Sequence, residues 1–336
     1  MGDIRIQKAV LHILDTNVGV PVLSQRELAV DGETEEFLEN MVTKLVEDDN
    51  LKPAFFGDGP SVIRDLLYRF QEEQNFLVLS QAVANALYHM MLTHVNISPA
   101  DLVCCLFSEA DRNCFGVFKL NYRTNYIHYI EYDEAQQNVN SLIKQKTVLP
   151  AENAKLEECF VVDLTDFSLR LIEKQYEING VKEFYLSKIL LACQDELSNN
   201  DKAKVLDKVT QKMSKKFSDD QFGPMVRLRK AISEDLDEGG AINLEHVARE
   251  VFGDDPGAQK EYLDEMYRAG LQEKEIELPE KIANRKFRNQ KIQTDTGIEI
   301  NFPADYYNNK EKIEFITNVD GTILIVIKNV GKIINK

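Results

Sequence analysis

Cysteine is scarce in this chain and poorly placed for chemistry. The five thiols, at positions 104, 105, 114, 159 and 193, form an odd, loosely spaced set with no C-x-x-C pair. Neither a zinc ribbon nor a disulfide framework can be read from them; they point to reduced thiols packed in the core of a cytoplasmic protein. Long apolar runs are missing too. The longest, such as Leu102–Phe107 and Ile323–Ile327, fall far short of a membrane span. Asp3 and Arg5 stand where an apolar signal-peptide core would begin. Positive charge is in deficit: 40 Lys and Arg against 56 Asp and Glu give a net charge of −16. Nucleic-acid binders usually carry a basic excess, so one built on this chain must use a local patch and turn its acidic surface away.

The common catalytic signatures are also absent. No P-loop, dinucleotide-binding, zinc-protease or nucleophile-elbow pattern occurs. Gly57-Asp-Gly-Pro60 has two glycines but no P-loop lysine after it, and reads as a turn. No lysine has an acid two residues before it, so the acid-x-lysine triplet of many metal-dependent nucleases is missing. The five histidines, at 12, 89, 94, 128 and 246, are scattered. His89 and His94, five apart, are poorly placed to share a metal from one helix face. Asp219-Asp220 and Asp254-Asp255 flank expected helix starts, where caps and first-turn acids belong. No nucleophile, base and orienting group can be assembled. No catalytic residue, cofactor site or metal ligand is therefore assigned, and the protein is read as non-enzymatic.

What is present fits a soluble globular chain. Its 336 residues are enough for two domains with real cores, and 43% hydrophobic with 29% charged residues is ordinary for such proteins. Residues 4–14 read as a strand, with Pro21–Ser24 pairing to it. Apolar spacing predicts helices over 34–46, from Val62 to Phe70 (Val62, Ile63, Leu66, Leu67 and Phe70 inward) and from about Ser80 to His94. Pro53 and the glycines at 57 and 59 break the pattern between the first two. Leu102–Phe107, Cys114–Leu120 and Tyr126–Tyr132 read as consecutive strands of a meander, with Phe160–Asp163 as a fourth. Helices are expected at 184–197, 201–217, 220–236, 243–252 and 258–270. An acidic linker, Gln272–Pro279, then leads to a basic segment and four short strands near 292–294, 298–302, 313–317 and 322–328, with Asp320-Gly321 as a hairpin turn. The class is α+β: a mixed helix and antiparallel-sheet domain with an acidic surface over 1–196, then a helical segment and a small basic antiparallel sheet over 197–336.

Charge is divided unevenly along this plan. Residues 281–336 hold ten Lys and Arg against six Asp and Glu, a net of +4; the preceding 280 hold thirty against fifty, a net of −20. Two basic constellations stand out. In the helix over 201–217, Val205, Val209, Met213 and Phe217 form one i+4 row, expected to be buried. Lys204, Lys208, Lys212 and Lys216 form the adjacent row. Twelve residues of helix rise about 18 Å, enough for lysines to follow a phosphate backbone as point charges. A solvated helix face whose lysine stems cover apolar surface gives the same pattern. In Lys281–Lys291, Arg285, Lys286, Arg288 and Lys291 fit phosphate contact, with Phe287 as a stacking residue. A solvated connector explains that segment equally well.

Eight short motifs stand along the chain: Ala9-Val-Leu-His12, Pro21-Val-Leu-Ser24, Phe76-Leu-Val-Leu-Ser80, Leu120-Asn-Tyr122, Phe184-Tyr-Leu186, Thr294-Asp-Thr-Gly297, Lys312-Ile-Glu-Phe315 and Asp320-Gly-Thr-Ile-Leu-Ile-Val-Ile-Lys328. Together they resemble the bacterial 37-kDa nucleoid-associated protein family. They occur in order along nearly the whole chain. The resemblance implies a protein of the bacterial nucleoid that binds double- or single-stranded DNA, or RNA. It carries over no catalytic residue. The expected function is phosphate contact with little sequence specificity, without cofactor or membrane, in a chain able to form a homo-oligomer. The rival is a protein-interaction scaffold in chromosome maintenance or phage defence that works through the acidic surface. A third reading is a hydrolase whose motif is not visible in the sequence.

Overall fold

The computed structural model describes residues 4–132, 136–217, 222–307, 309–332 and 334. It divides into two compact units, Met1–Glu196 and Leu197–Lys336. Both combine helices with antiparallel strands, so the chain is α+β.

The first unit runs β1 (Ile4–Leu14), α1 (Gly32–Val46), β2 (Lys52–Phe56), α2 (Val62–Glu73), α3 (Phe76–Thr93), β3 (Ala100–Glu109), β4 (Arg112–Asn121), β5 (Arg123–Tyr132), β6 (Asn138–Val148), β7 (Cys159–Asp163), β8 (Leu169–Ile172), β9 (Tyr176–Ile178), β10 (Val181–Glu183), a π-helical turn (Leu186–Leu191) and β11 (Cys193–Asp195). Seven strands form one sheet in the order β1-β3-β4-β7-β8-β2-β11, with every neighbour antiparallel. Helix α1 packs Leu38, Met41, Val42 and Leu45 with Val103, Cys105 and Phe107 of β3. Helices α2 and α3 join the other cluster, where Leu67, Val83, Leu87 and Met91 are gathered with Leu102, Cys104 and Leu106. Successive β3 residues therefore enter two buried faces in alternation, so the strand reads as an unbroken apolar run. Cys104, Cys105, Cys114 and Cys159 are all buried in this core. By length and composition α3 is apolar enough to cross a bilayer. Its stripe Phe76, Leu79, Val83, Leu87 and Met91 is buried in the unit.

Several elements depart from what the sequence predicts. Pro53 falls between the first two helices, as expected, but it lies in a strand, β2, opposite Arg170. Partner β11 pairs only with Ala54–Phe56. The missing N–H therefore falls at a ladder end, while the Pro53 carbonyl still accepts from Glu196 N at 2.9 Å. Helix α3 starts at Phe76 rather than near Ser80, because the Asn75 side chain accepts from Val78 N at 3.2 Å and caps it. Val62 points outward, 59% exposed. Strand β5 does not continue the meander: β7 takes the place beside β4, and β5 pairs only with β6 in a separate hairpin. Residues 184–197 hold no α-helix but the π-helical turn and β11. Val22 pairs with Ile13 as expected, with both backbone hydrogen bonds formed.

The second unit runs α4 (Asn199–Phe217), α5 (Phe222–Glu238), β12 (Ala241–Asn243), α6 (Leu244–Phe252), α7 (Pro256–Arg268), β13 (Glu275–Glu277), α8 (Glu280–Lys286), β14 (Asn289–Gln293), β15 (Glu299–Pro303), a 3₁₀ turn (Ala304–Tyr306), β16 (Ile313–Thr317) and β17 (Ile323–Ile327). Its core gathers Leu206, Met213, Ile232, Val247, Tyr262 and Phe287. The C-terminal sheet is two hairpins, β14–β15 and β16–β17, and the second turns at Asp320-Gly321, where Gly321 has φ +83°. The acidic segment 272–279 is not a linker: β13 pairs with β12, and Ile276 and Leu278 are buried. Asp255 caps α7, accepting from Gly257 N and Ala258 N, as the sequence suggested. Asp219 and Asp220 lie outside the described residues.

Candidate nucleic-acid interface

The lysine row of α4 is on the surface. Lys204, Lys208, Lys212 and Lys216 are all exposed. The buried stripe, however, is Ala203, Leu206, Val209 and Met213, with Val205 half-buried and Phe217 38% exposed. An i+4 row drifts about 40° per step around a helix, so no strict i+4 row stays buried over three turns. The lysine row drifts with it, and its members meet different neighbours. Lys204 pairs with Asp201 at 2.8 Å. Lys212 pairs with Glu265 and Lys216 with Glu261, both on α7. Lys208 has no carboxylate within salt-bridge distance among the described residues.

The second constellation falls on α8 and the start of β14. Arg285 is exposed and Lys286 half-buried. Lys286 acts on Asp207 of α4: burial raises the Asp207 pKa, and the charges of Arg229 and then Lys286 oppose that rise. The end of α8 thus lies by the lysine helix, and the fold gathers sequence-distant cations around α4. Arg288 pairs with Asp237 at 2.9 Å, and Lys291 with Glu299 across the hairpin at 2.8 Å. Phe287 is fully buried and packs in the core of the unit, so it cannot stack on a base; its flanking cations had suggested an exposed ring.

Five of the eight motifs that carry the family resemblance, those of the first unit, meet in buried polar networks. His12 is fully buried. Its Nδ1 accepts from Ser24 N at 3.1 Å, which puts the ring proton on Nε2, 3.1 Å from Ser80 Oγ. Ser80 Oγ in turn donates to the Leu77 carbonyl at 2.8 Å. Three separated motifs thereby meet at one imidazole, and burial pushes its pKa down to about 4.

Glu158 is the second such centre. Its carboxylate accepts from Tyr176 Oη and Tyr185 Oη at 2.6 Å, from Asn121 Nδ2 at 2.6 Å and from Lys119 Nζ at 3.1 Å. Burial pushes its pKa up, but the Lys119 charge and these donors more than offset that and hold it below the usual carboxylate range. Asn121 and Tyr185 come from two of the resembling motifs, 64 positions apart in the sequence. Neighbouring Glu157 is also opposed by burial, yet hydrogen bonds from Lys174, Asn121 and Arg123 hold it at about 2. A small cleft of about 40 Å³ lies beside this network, lined in part by Lys44, Lys119, Arg123 and Lys155. Nothing in the local sequence marks Glu158 as such a centre; only residue pairing in space does. Among the described residues, no group of three His, Cys, Asp or Glu is placed to hold a metal ion.

These features define a class before they define a family. The chain is an α+β protein in which five of the resembling motifs meet in buried polar networks. Residues 10–335 match the family described as nucleoid-associated protein YejK, and the chain belongs to that family. No curated protein matches it.

Proposed function

We propose that the chain binds nucleic acid at the bacterial nucleoid, without catalysis, through phosphate contacts from Lys204, Lys208, Lys212, Lys216, Arg285, Lys286, Arg288 and Lys291. The reading rests on the exposed lysine row of α4, with Lys208 in its middle holding no carboxylate among the described residues, in a member of a nucleoid-associated family. The paired cations can still take part. Lys212 is 64% exposed, and ion pairs open to solvent are weak, so a phosphate can compete with Glu265 for it. The reach is along the backbone, and no helix-turn-helix or zinc module for reading base edges is recognisable among the described residues. Binding is therefore weakly sequence-specific and falls steeply with salt.

The test is fluorescence anisotropy of the full chain with labelled duplex and single-stranded DNA across a salt series. The triple variants Lys204/Lys208/Lys212→Glu and Arg285/Lys286/Arg288→Glu should each bind more weakly, with a salt slope shallower by roughly 2–3. Wild-type binding that survives both variants unchanged sinks the assignment of these residues. No binding at about 50 mM salt sinks the nucleic-acid reading itself and favours the protein-interaction scaffold. The observation on the scaffold's side is that Lys204, Lys212, Lys216, Arg288 and Lys291 already hold carboxylates.

A further inference from the structure

The β5–β6 hairpin stands outside the seven-stranded sheet, and its strands are ten and eleven residues long. Every described residue of β5 is exposed. Tyr126, Ile130 and Leu142 project from one face and Ile127, Tyr129 and Ile143 from the other, each between 39% and 75% exposed. A two-stranded ribbon is marginal in water by itself, and a long apolar edge is a template for another strand. Something of matching chemistry therefore belongs beside it.

Charge narrows the choice. Residues 123–148 hold three basic and three acidic residues, a net of zero, so the ribbon lacks the excess a phosphate backbone requires. The two edges also differ. Between the pairs Arg123↔Val148 and Asn125↔Gln145, β5 has one residue and β6 has two, so the bulge lies on β6. Bulges blunt an edge, and β6 also carries Lys144 and Lys146 without an acid. Strand β5 is regular and carries opposite charges near its two ends, Arg123 and Glu131. Turned about a two-fold axis at Ile127, it is complementary to itself. Arg123 then faces Glu131 of the second copy at both ends, and Tyr126 faces His128.

We infer that β5 pairs antiparallel with β5 of a second copy of this chain, centred on Ile127. The two hairpins join into one four-stranded sheet. The contact is isologous, so the assembly closes as a dimer rather than growing into a fibre. Main-chain hydrogen bonds supply affinity and the end charges fix the register. Arg123 keeps its present contact with Glu157 at 2.5 Å and uses its remaining donors for the partner.

The full chain is tested by sedimentation and by cross-linking. Wild type should sediment as a dimer at about 100 μM. Arg123→Glu and Glu131→Arg each place like charges at both ends of the strand pair. Each should weaken the dimer by roughly tenfold or more, and a mixture of the two should recover it as a heterodimer. Cysteine at the axis gives a readout independent of charge. Directly opposed Cα atoms in an antiparallel pair lie about 4.5–5.5 Å apart, within disulfide range. Ile127→Cys should therefore cross-link under mild copper oxidation, and Leu142→Cys should not. A monomer at that concentration overturns the inference, as does equal cross-linking at both positions. A monomer whose DNA affinity falls in Arg123→Glu and rises in Glu131→Arg would overturn the inference and reassign the arm to nucleic acid.

Discussion

At the scale of single residues, His12 has the clearest consequence. Its imidazole is neutral in the fold because Ser24 N occupies Nδ1 and the ring is dry. The folded value of about 4 lies below the unfolded value of 6.5. Between these limits the unfolded chain binds more protons, so this contribution is complete above about pH 6.5 and is lost as pH falls through 4. The size of the gap corresponds to about 3 kcal/mol. Urea unfolding at about pH 7 and about pH 4.5 should show the drop in wild type and a clearly smaller one in His12→Gln. An equal drop in both proteins would assign the effect to other groups. Glu157 is not a competitor in this window, since its own change runs from the ordinary carboxylate value down to about 2.

At the scale of elements, close packing of β4 sets the limits. Gly116 lies opposite Cys105 on β3 and Val161 on β7. A Cβ there would stand 2.8 Å from the Phe118 ring and 3.1 Å from both Cys105 Sγ and the Phe107 ring. Phe107 and Phe118 are fully buried, so either ring can move only by displacing other core side chains. Gly116→Ala should destabilise the protein by about 1–3 kcal/mol, measured by urea unfolding, although alanine normally favours an element interior over glycine. A neutral or stabilising result would mean that the rings shift freely. Elements also explain where the sequence was hard to read. The helix periods were legible because each amphipathic stripe lies against a core. Strand β2 was not, since proline is tolerated only because β11 stops short of it. Strand β13 was hidden by its acids Glu275 and Glu277, which flank the one buried residue, Ile276.

At the scale of the whole molecule, each unit builds its hydrophobic core from its own residues. Residues 1–196 and 197–336, produced separately, should each unfold cooperatively in urea with a sigmoidal change in circular dichroism. A broad, non-cooperative melt of either piece would show that it needs the other to fold. The net charges of the chain's parts bear on binding rather than on folding. An acidic molecule that contacts phosphates must do so locally, which is why the proposal rests on the α4 row.

The sequence by itself determined the class, most helices, the strands β3 and β4, the turn at Asp320-Gly321 and the family. These follow from periodicity, turn chemistry and ordered short motifs, all of which are local. The tertiary structure alone decided that β5 leaves the sheet, that Phe287 is core rather than a stacking ring, and that the lysine row is largely engaged with α7 and Asp201. It also decided that motifs far apart in the chain meet at His12 and Glu158. The physical reason is the same in each case. A side chain's charge state and partners depend on what other segments bring within a few ångströms, and sequence spacing does not encode that.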